Sequence, residues 1–112
     1  MNWVMVGAVF GLVGVAAGAF GAHGLRTVLS PERLATFEVA VRYQMYHSIA
    51  LVLAGILHAD RAAWCFLAGT LIFSGSLYVL VLFEQRWLGA ITPIGGLLLI
   101  GGWLFLALQA KT

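Results

Sequence analysis

Long apolar runs without charge constrain this chain more than any other feature of its sequence. Residues 3–22, 62–83 and 88–110 contain no Asp, Glu, Lys or Arg. Each run matches the roughly 20 apolar residues that an α-helix needs to cross about 30 Å of hydrocarbon. The first run is longer than the apolar region of a secretory signal, so we expect it to be a permanent helix. With 62% hydrophobic and 9% charged residues, the composition is typical of a membrane protein.

A fourth span is predicted from a shorter apolar run, residues 45–57. Ser30 and Pro31 are typical of a helix N-cap and first helical position, and Glu32 suits the positively polarised first turn. We therefore predict a helix whose first turns, residues 31–38, lie in the membrane interface. The predicted spans are residues 3–23, 39–58, 62–83 and 88–110. The expected fold is an all-α integral membrane four-helix bundle, with residues 1–112 as a single domain.

The charge distribution bears on partners and on orientation. The formal net charge is +2, and the six basic residues are scattered along the chain, which does not favour nucleic-acid binding. Arg26, Arg33 and Arg86 lie in or beside the first and third connections, whereas Arg61 and Lys111 lie toward the opposite side. The positive-inside rule slightly favours a cytoplasmic location for the first and third connections.

Five glycines form a stripe along the first predicted helix. Gly7, Gly11, Gly14, Gly18 and Gly21 recur at intervals of four and three residues, which places them on one helical face. Inside a bilayer, small residues that allow close packing become the contact surface between helices. Two alternatives remain open. The stripe is a dimerisation face, or it packs against another helix of the same chain, which is the commoner role of transmembrane glycine.

Polar residues concentrate toward one predicted membrane side. They are His23, Glu38, Arg42, Tyr43, Gln44, His47, Ser74, Ser76, Tyr78 and Thr92. This asymmetry predicts a polar pocket or a polar helix junction in one leaflet. Glu38 precedes Arg42 by four residues, the favourable order for an ion pair on a helix. We expect an interfacial ion pair, with a gate or a proton-transfer pair as the alternative.

The sequence lacks the signatures of catalysis and of metal binding. It contains no nucleophile paired with His and Asp, no paired carboxylates and no phosphate-binding glycine loop. His23 and His47 are capable ligands, but no Cys/His cluster accompanies them, so we expect them to form hydrogen bonds. The single Cys65 excludes an internal disulfide. We predict no catalytic residue, no metal ion and no cofactor, and an enzyme is the least favoured class of protein.

Four sequence blocks carry a family resemblance. They are Gly18-Ala19-Phe20-Gly21-Ala22-His23-Gly24-Leu25, Tyr43-Gln44-Met45-Tyr46-His47, Phe73-Ser74-Gly75-Ser76-Leu77-Tyr78 and Thr92-Pro93-Ile94-Gly95-Gly96. In this order they resemble the membrane family catalogued as domain of unknown function 423, which is similar to eukaryotic transmembrane protein 256. The resemblance covers essentially the whole chain and implies a small four-helix protein of the bacterial plasma (inner) membrane. It implies no reaction, ligand or catalytic residue.

Two functional hypotheses from different classes follow. The first is a non-enzymatic protein that acts in the lipid bilayer through helix packing, as an accessory subunit of a larger membrane complex or as a small homo-oligomer. The glycine stripe and the lack of catalytic motifs favour it. The second is a binder or transporter of a small molecule, a quinone or a lipid, which uses the polar residues of one leaflet. The sequence itself specifies no ligand and no partner.

Overall fold

The computed structural model describes residues 1–110 as four antiparallel helices joined by short connections. Helix α1 spans Trp3–Leu25 and contains a π-helical turn, Ala17–Gly21, between the α-helical segments Trp3–Ala16 and Ala22–Leu25. Helix α2 spans Pro31–Ile56, α3 spans Asp60–Phe83, and α4 spans Thr92–Ala110 after a 3₁₀ turn, Arg86–Ala90. Lys111 lies outside the described residues, so the orientation argued from it stays a prediction.

Helices α2 and α3 are the two inner helices of the bundle. Both α1 and α3 pack along α2, and α4 packs along α3. Helix α2 buries the polar side chains of Gln44, His47 and Ser48 together with apolar ones such as Phe37 and Leu51. The all-α four-helix bundle predicted from the sequence is thereby confirmed.

The start of α2 follows from its capping residues. Ser30 Oγ accepts a hydrogen bond from the backbone N–H of Arg33 at 3.2 Å, and Pro31 occupies the first helical position. The helix has 26 residues, so at ~1.5 Å per residue it is about 39 Å long. This length exceeds a hydrocarbon core of about 30 Å. If its far end lies at one membrane boundary, its first turns project beyond the other.

The four helices differ in apolarity. Among residues 1–110, three helical stretches are long and apolar enough to cross a membrane, namely Trp3–Leu25, Asp60–Phe83 and Arg86–Ala110. Helix α2 is long enough, but it carries charges as far along as Arg42 and polar groups as far as Ser48. The span predicted at 39–58 therefore stays a prediction, and the helix that carries it depends on its neighbours to cover its polar groups.

The glycine stripe faces α2. A Cβ atom built on Gly7 would lie 2.6 Å from the carbonyl oxygen of Ser48, and one on Gly14 would lie 2.5 Å from Met45 Sδ. The other members of the stripe, Gly11, Gly18 and Gly21, also face side chains of α2. Of the two alternatives, the structure shows the stripe in contact with another helix of the same chain. Helix α2 lies where a second copy would have to pack.

A second glycine contact, which the sequence analysis did not single out, joins α3 and α4. A Cβ atom on Gly69 would lie 2.7 Å from Leu99 Cδ2, and one on Gly102 would lie 2.6 Å from the ring of Phe66. Gly95 lies against the backbone of α3 in the same interface. Close backbone approach at small residues thus holds both α1 against α2 and α3 against α4.

Both ends of the bundle are tied by polar contacts. At one end, Trp3 Nε1 donates a hydrogen bond to Asp60 Oδ1 at 3.0 Å, which joins the starts of α1 and α3. At the other end, Arg33 Nη1 lies 3.0 Å from a carboxylate oxygen of Glu84, and Arg33 Nη2 donates to the Val81 carbonyl. Because Val81 and Glu84 are at the carboxyl end of α3, the guanidinium of Arg33 also complements the helix dipole there.

Candidate functional site

Gln44 connects three helices through its side-chain amide. Its Nε2 donates to the carbonyl oxygen of Phe10 on α1 at 2.9 Å, and its Oε1 accepts from the Tyr78 hydroxyl on α3 at 2.6 Å. Close by, Ser74 Oγ on α3 donates to the carbonyl oxygen of Ala40 on α2 at 2.7 Å. These bonds commit three of the predicted site residues to contacts between helices.

His47 links α2 to α4. Its Nδ1 lies 2.7 Å from the carbonyl oxygen of Tyr43, and Trp103 Nε1 lies 3.0 Å from its Nε2. Because a carbonyl only accepts and an indole N–H only donates, Nδ1 carries the proton and Nε2 is the acceptor. A metal ion at Nε2 would have to displace Trp103. The geometry therefore gives His47 a role in helix packing.

Ser76 and Thr92 form a separate junction between α3 and α4. Their hydroxyl oxygens are 2.5 Å apart. Ser76 Oγ also lies 3.0 Å from the carbonyl oxygen of Phe73, and Thr92 Oγ1 lies 3.2 Å from that of Leu88. Both hydroxyl groups are thus occupied by contacts within the bundle.

The remaining predicted site residues lie on the outside. His23 is exposed at the end of α1, with its Nδ1 2.6 Å from Arg26 Nη2. Glu38 and Arg42 are both exposed, and the expected ion pair between them is not formed. The ion pair found among residues 1–110 joins other residues at the start of α2 and the end of α3. The local i, i+4 spacing permits the pair, but it does not hold two exposed side chains together.

The ten predicted polar residues therefore do not converge on one pocket. Gly21 of α1 faces Phe37, which precedes His47 by ten residues, so Gly21 lies about 15 Å from His47 along the bundle and His23, two residues beyond Gly21, lies about 18 Å from it. The sequence analysis predicted that His23 and His47 lie toward the same membrane side, and the structure shows that they lie at different levels along the bundle. The structure instead divides the polar residues into interhelical contacts and exposed positions.

A cavity of about 240 Å³ lies between α1 and α3 beside Gln44. Its lining residues are Val9, Phe10 and Val13 from α1, Gln44 from α2, and Thr70, Leu71, Ser74, Gly75 and Tyr78 from α3. Val9, Val13 and Leu71 are exposed, so the cavity opens on the lipid-facing surface between the two helices. Its walls are almost wholly apolar because most polar groups around it are already bonded to one another.

Thr70 is the exception among these polar groups. Its side chain is only 3% exposed, yet its Oγ1 has no hydrogen-bond partner among the described residues. A buried hydroxyl without a partner costs about 1–3 kcal/mol on the scale of protein mutational data. Thr70 follows Asp60, the first residue of α3, by ten residues, so it lies about 15 Å from that end and near the bilayer centre.

Sequence reasoning missed Thr70 and Trp103. Thr70 precedes Ser74 and Tyr78 by four and eight residues, so helical spacing already places the three on one face. No such signal exists for Trp103, because 56 residues separate it from His47 and its N–H finds the imidazole only in the folded bundle.

The chain is similar along almost its whole length to several staphylococcal proteins, each named UPF0382 membrane protein. The relative from Staphylococcus haemolyticus (strain JCSC1435) is 46% identical over 113 residues, covering 96% of this chain and 93% of the relative. One from Staphylococcus aureus (strain bovine RF122 / ET3-1) is 44% identical over 110 residues, covering 93% and 90%. One from Staphylococcus saprophyticus is 44% identical over 112 residues, covering 95% and 93%. No solved structure matches the chain.

These relatives and the three apolar helices show that the chain is an integral membrane protein of the bacterial plasma membrane. The similarity to eukaryotic transmembrane protein 256 stays a prediction. A family model matches residues 17–96, a range that contains all four of the sequence blocks quoted above. The chain therefore belongs to the family described as Protein of unknown function (DUF423).

Proposed function

We propose that the protein binds a small apolar molecule from the bilayer in the cavity between α1 and α3. The observation that carries this proposal is the Thr70 hydroxyl, which is buried at the cavity and lacks a partner among the described residues. A hydroxyl in hydrocarbon cannot turn to water for its hydrogen bond. Because Oγ1 itself is buried, the Thr70 side chain would have to turn its hydroxyl toward the cavity, where a ligand with an acceptor oxygen would supply the missing partner.

The volume limits the size of the ligand. An apolar cavity of about 150 Å³ is known to hold benzene, so 240 Å³ accommodates a somewhat larger ring or a short chain. A whole phospholipid is too large. A longer molecule would have to leave its tail in the bilayer, through the opening between Val9, Val13 and Leu71.

A quinone satisfies both requirements. Its ring matches the volume, its carbonyl oxygen accepts a hydrogen bond, and its apolar tail suits the opening to lipid. This proposal keeps the small-molecule hypothesis of the sequence analysis, but it moves the site. Thr70 and the cavity walls replace His23, Glu38 and Arg42, which face outward.

The helix-packing hypothesis loses one of its supports. The glycine stripe that favoured an accessory subunit or a homo-oligomer is in contact with α2. That role stays a prediction and requires another contact face.

The experiment compares two glycine-to-leucine variants. Gly75 lines the cavity, and a Cβ atom there meets nothing within 4 Å, so Gly75→Leu fills space without an immediate clash. Gly101→Leu is the matched control, because its Cβ also meets nothing within 4 Å and it lies on α4, away from the cavity. Both variants make the same change in helix propensity.

Each protein is extracted gently in its own lipids and weighed by native mass spectrometry, with bound species identified after release. We expect the wild type and Gly101→Leu to retain one small apolar molecule per chain, and Gly75→Leu to lose it. A short-chain quinone added to delipidated protein should bind to the wild type and to Gly101→Leu but not to Gly75→Leu. Equal retention by Gly75→Leu and Gly101→Leu would contradict the proposed site.

A further inference from the structure

The outer face of α2 carries two charged side chains without partners. Glu38 and Arg42 are exposed, and neither side chain forms an ion pair or a hydrogen bond with any of residues 1–110. They are one helical turn apart and share one face. Charged groups in transmembrane helices are rare and usually pair with one another or with backbone carbonyls.

Their depth makes this exposure costly. Glu38 and Arg42 precede Ile56, the last residue of α2, by 18 and 14 residues, which corresponds to about 27 and 21 Å. With Ile56 at one boundary of a hydrocarbon core of about 30 Å, Glu38 lies about 3 Å and Arg42 about 9 Å inside the other boundary. A long side chain can extend toward the headgroups, but within this chain Glu38 and Arg42 do not pair with each other.

The same face continues along α2 as an apolar seam. Tyr46, Ile49 and Leu53 follow Arg42 at intervals of four, three and four residues, and all three are exposed. These intervals match the heptad spacing at which two helices remain in contact over several turns. The seam residues Tyr46, Ile49 and Leu53 lie on a different side of α2 from Gln44, His47 and Leu51. Those three face the interior of the bundle.

We propose that this outer face of α2 binds the same face of a second copy of the chain, in a parallel dimer with two-fold symmetry. Glu38 of each copy pairs with Arg42 of the other. A two-fold interface uses one self-complementary patch twice, and a neighbouring glutamate and arginine provide such a patch. The two ion pairs are equivalent, so each copy gives one donor and one acceptor.

The geometry of packed helices allows these pairs. A four-residue offset is about 6 Å along a helix, and packed helices lie about 8–10 Å apart. Parallel coiled coils bridge similar offsets with Glu and Lys or Arg side chains. The proposal is independent of the ligand cavity, which opens between α1 and α3.

Cysteine cross-linking tests the seam. In a background in which Cys65 is replaced by Ala, Ile49→Cys is compared with Ile100→Cys. The native side chains are 59% and 65% exposed, and both lie within about 15 Å of the same end of the bundle. A disulfide requires Cα atoms within about 7 Å. We expect oxidation in native membranes to cross-link Ile49→Cys and not Ile100→Cys. Equal cross-linking of the two variants would overturn the assigned face.

Charge exchange tests the ion pairs. Dissociation constants are measured by fluorescence energy transfer in liposomes across a range of protein-to-lipid ratios. We expect Glu38→Arg and Arg42→Glu each to weaken the dimer about tenfold. The double exchange, Glu38→Arg with Arg42→Glu, should return to within about threefold of the wild type, because the reciprocal pairs are restored.

Circular dichroism of each single variant shows whether it still folds, and the double variant decides the question even if a single variant does not. A wild type that is monomeric at every protein-to-lipid ratio would overturn the proposal. So would a double variant no better than the single ones, since the two charges would then act separately, as lipid anchors or within one chain.

Discussion

Replacing Thr70 by valine should stabilise the ligand-free protein. The change exchanges a hydroxyl for a methyl group of similar size at a buried position whose Oγ1 has no partner among the described residues. Protein mutational data put the cost of such a hydroxyl at about 1–3 kcal/mol. We expect the low end of that range, a gain of about 1 kcal/mol in the free energy of unfolding.

The assay is reversible unfolding in mixed micelles with delipidated protein. Ser74→Ala is the comparison, since Ser74 lies one turn further along α3 and its hydroxyl donates to the carbonyl oxygen of Ala40 at 2.7 Å. It should lose stability, the opposite sign to Thr70→Val. With ligand present, the stability advantage of Thr70→Val over the wild type should shrink or reverse, because the wild type forms a hydrogen bond to the ligand that the valine variant lacks. A bond worth about 0.5–1.5 kcal/mol corresponds to an affinity difference of about 2- to 13-fold.

The sign of the stability change in Thr70→Val shows whether the Thr70 hydroxyl lacks a partner in the native protein. If Thr70→Val lowers the stability of delipidated protein as Ser74→Ala does, the Thr70 hydroxyl already has a partner in the native state. The case for a ligand at this position would then be lost, whatever the mass spectra show of other sites.

Three further predictions concern the contacts that hold the bundle together, and all are measured by unfolding in mixed micelles. Gly7→Ala should cost about 1–3 kcal/mol, because its Cβ meets the backbone of α2, whereas Gly101→Ala should be neutral or gain up to about 1 kcal/mol in helix propensity. Equal changes in the free energy of unfolding for Gly7→Ala and Gly101→Ala would contradict a close contact between Gly7 and α2. Trp103→Phe should cost about 1 kcal/mol by leaving His47 Nε2 without its donor, and an unchanged midpoint would contradict that bond. Asp60→Asn retains an acceptor for the Trp3 indole N–H and should be nearly neutral, whereas Asp60→Leu should be destabilising.

The order and start of the helices were predictable because local signals specify them. Uncharged runs mark α1, α3 and α4, and the cap at Ser30 with Pro31 marks the start of α2. The glycine stripe on α1 was predictable as a contact face from its spacing alone. Its partner was not, because spacing describes one helix and the choice between α2 and a second copy depends on how the whole chain packs.

The candidate site was less predictable, because α2 has polar residues on two sides. Gln44 and His47 face inward and bond to other helices, whereas Glu38 and Arg42 face outward. Their residue types give no reason to separate them. The cavity is a gap between α1 and α3, and no pattern within either helix specifies a gap. Only the spacing of Thr70 with Ser74 and Tyr78 pointed toward it.

The polarity of helix α2 also has a consequence for biosynthesis. Helix α2 leaves the ribosome after α1 and before α3, and it is the helix with the weakest apolar signal. On its own it would present Gln44 and His47 to lipid, where neither has a partner. It therefore depends on α1 to supply the Phe10 carbonyl, and then on α3 and α4 to supply the hydroxyl of Tyr78 and the indole of Trp103. We expect α2 to remain at the translocon until α3 and α4 have been made, so that the four helices enter the bilayer as one cooperative unit.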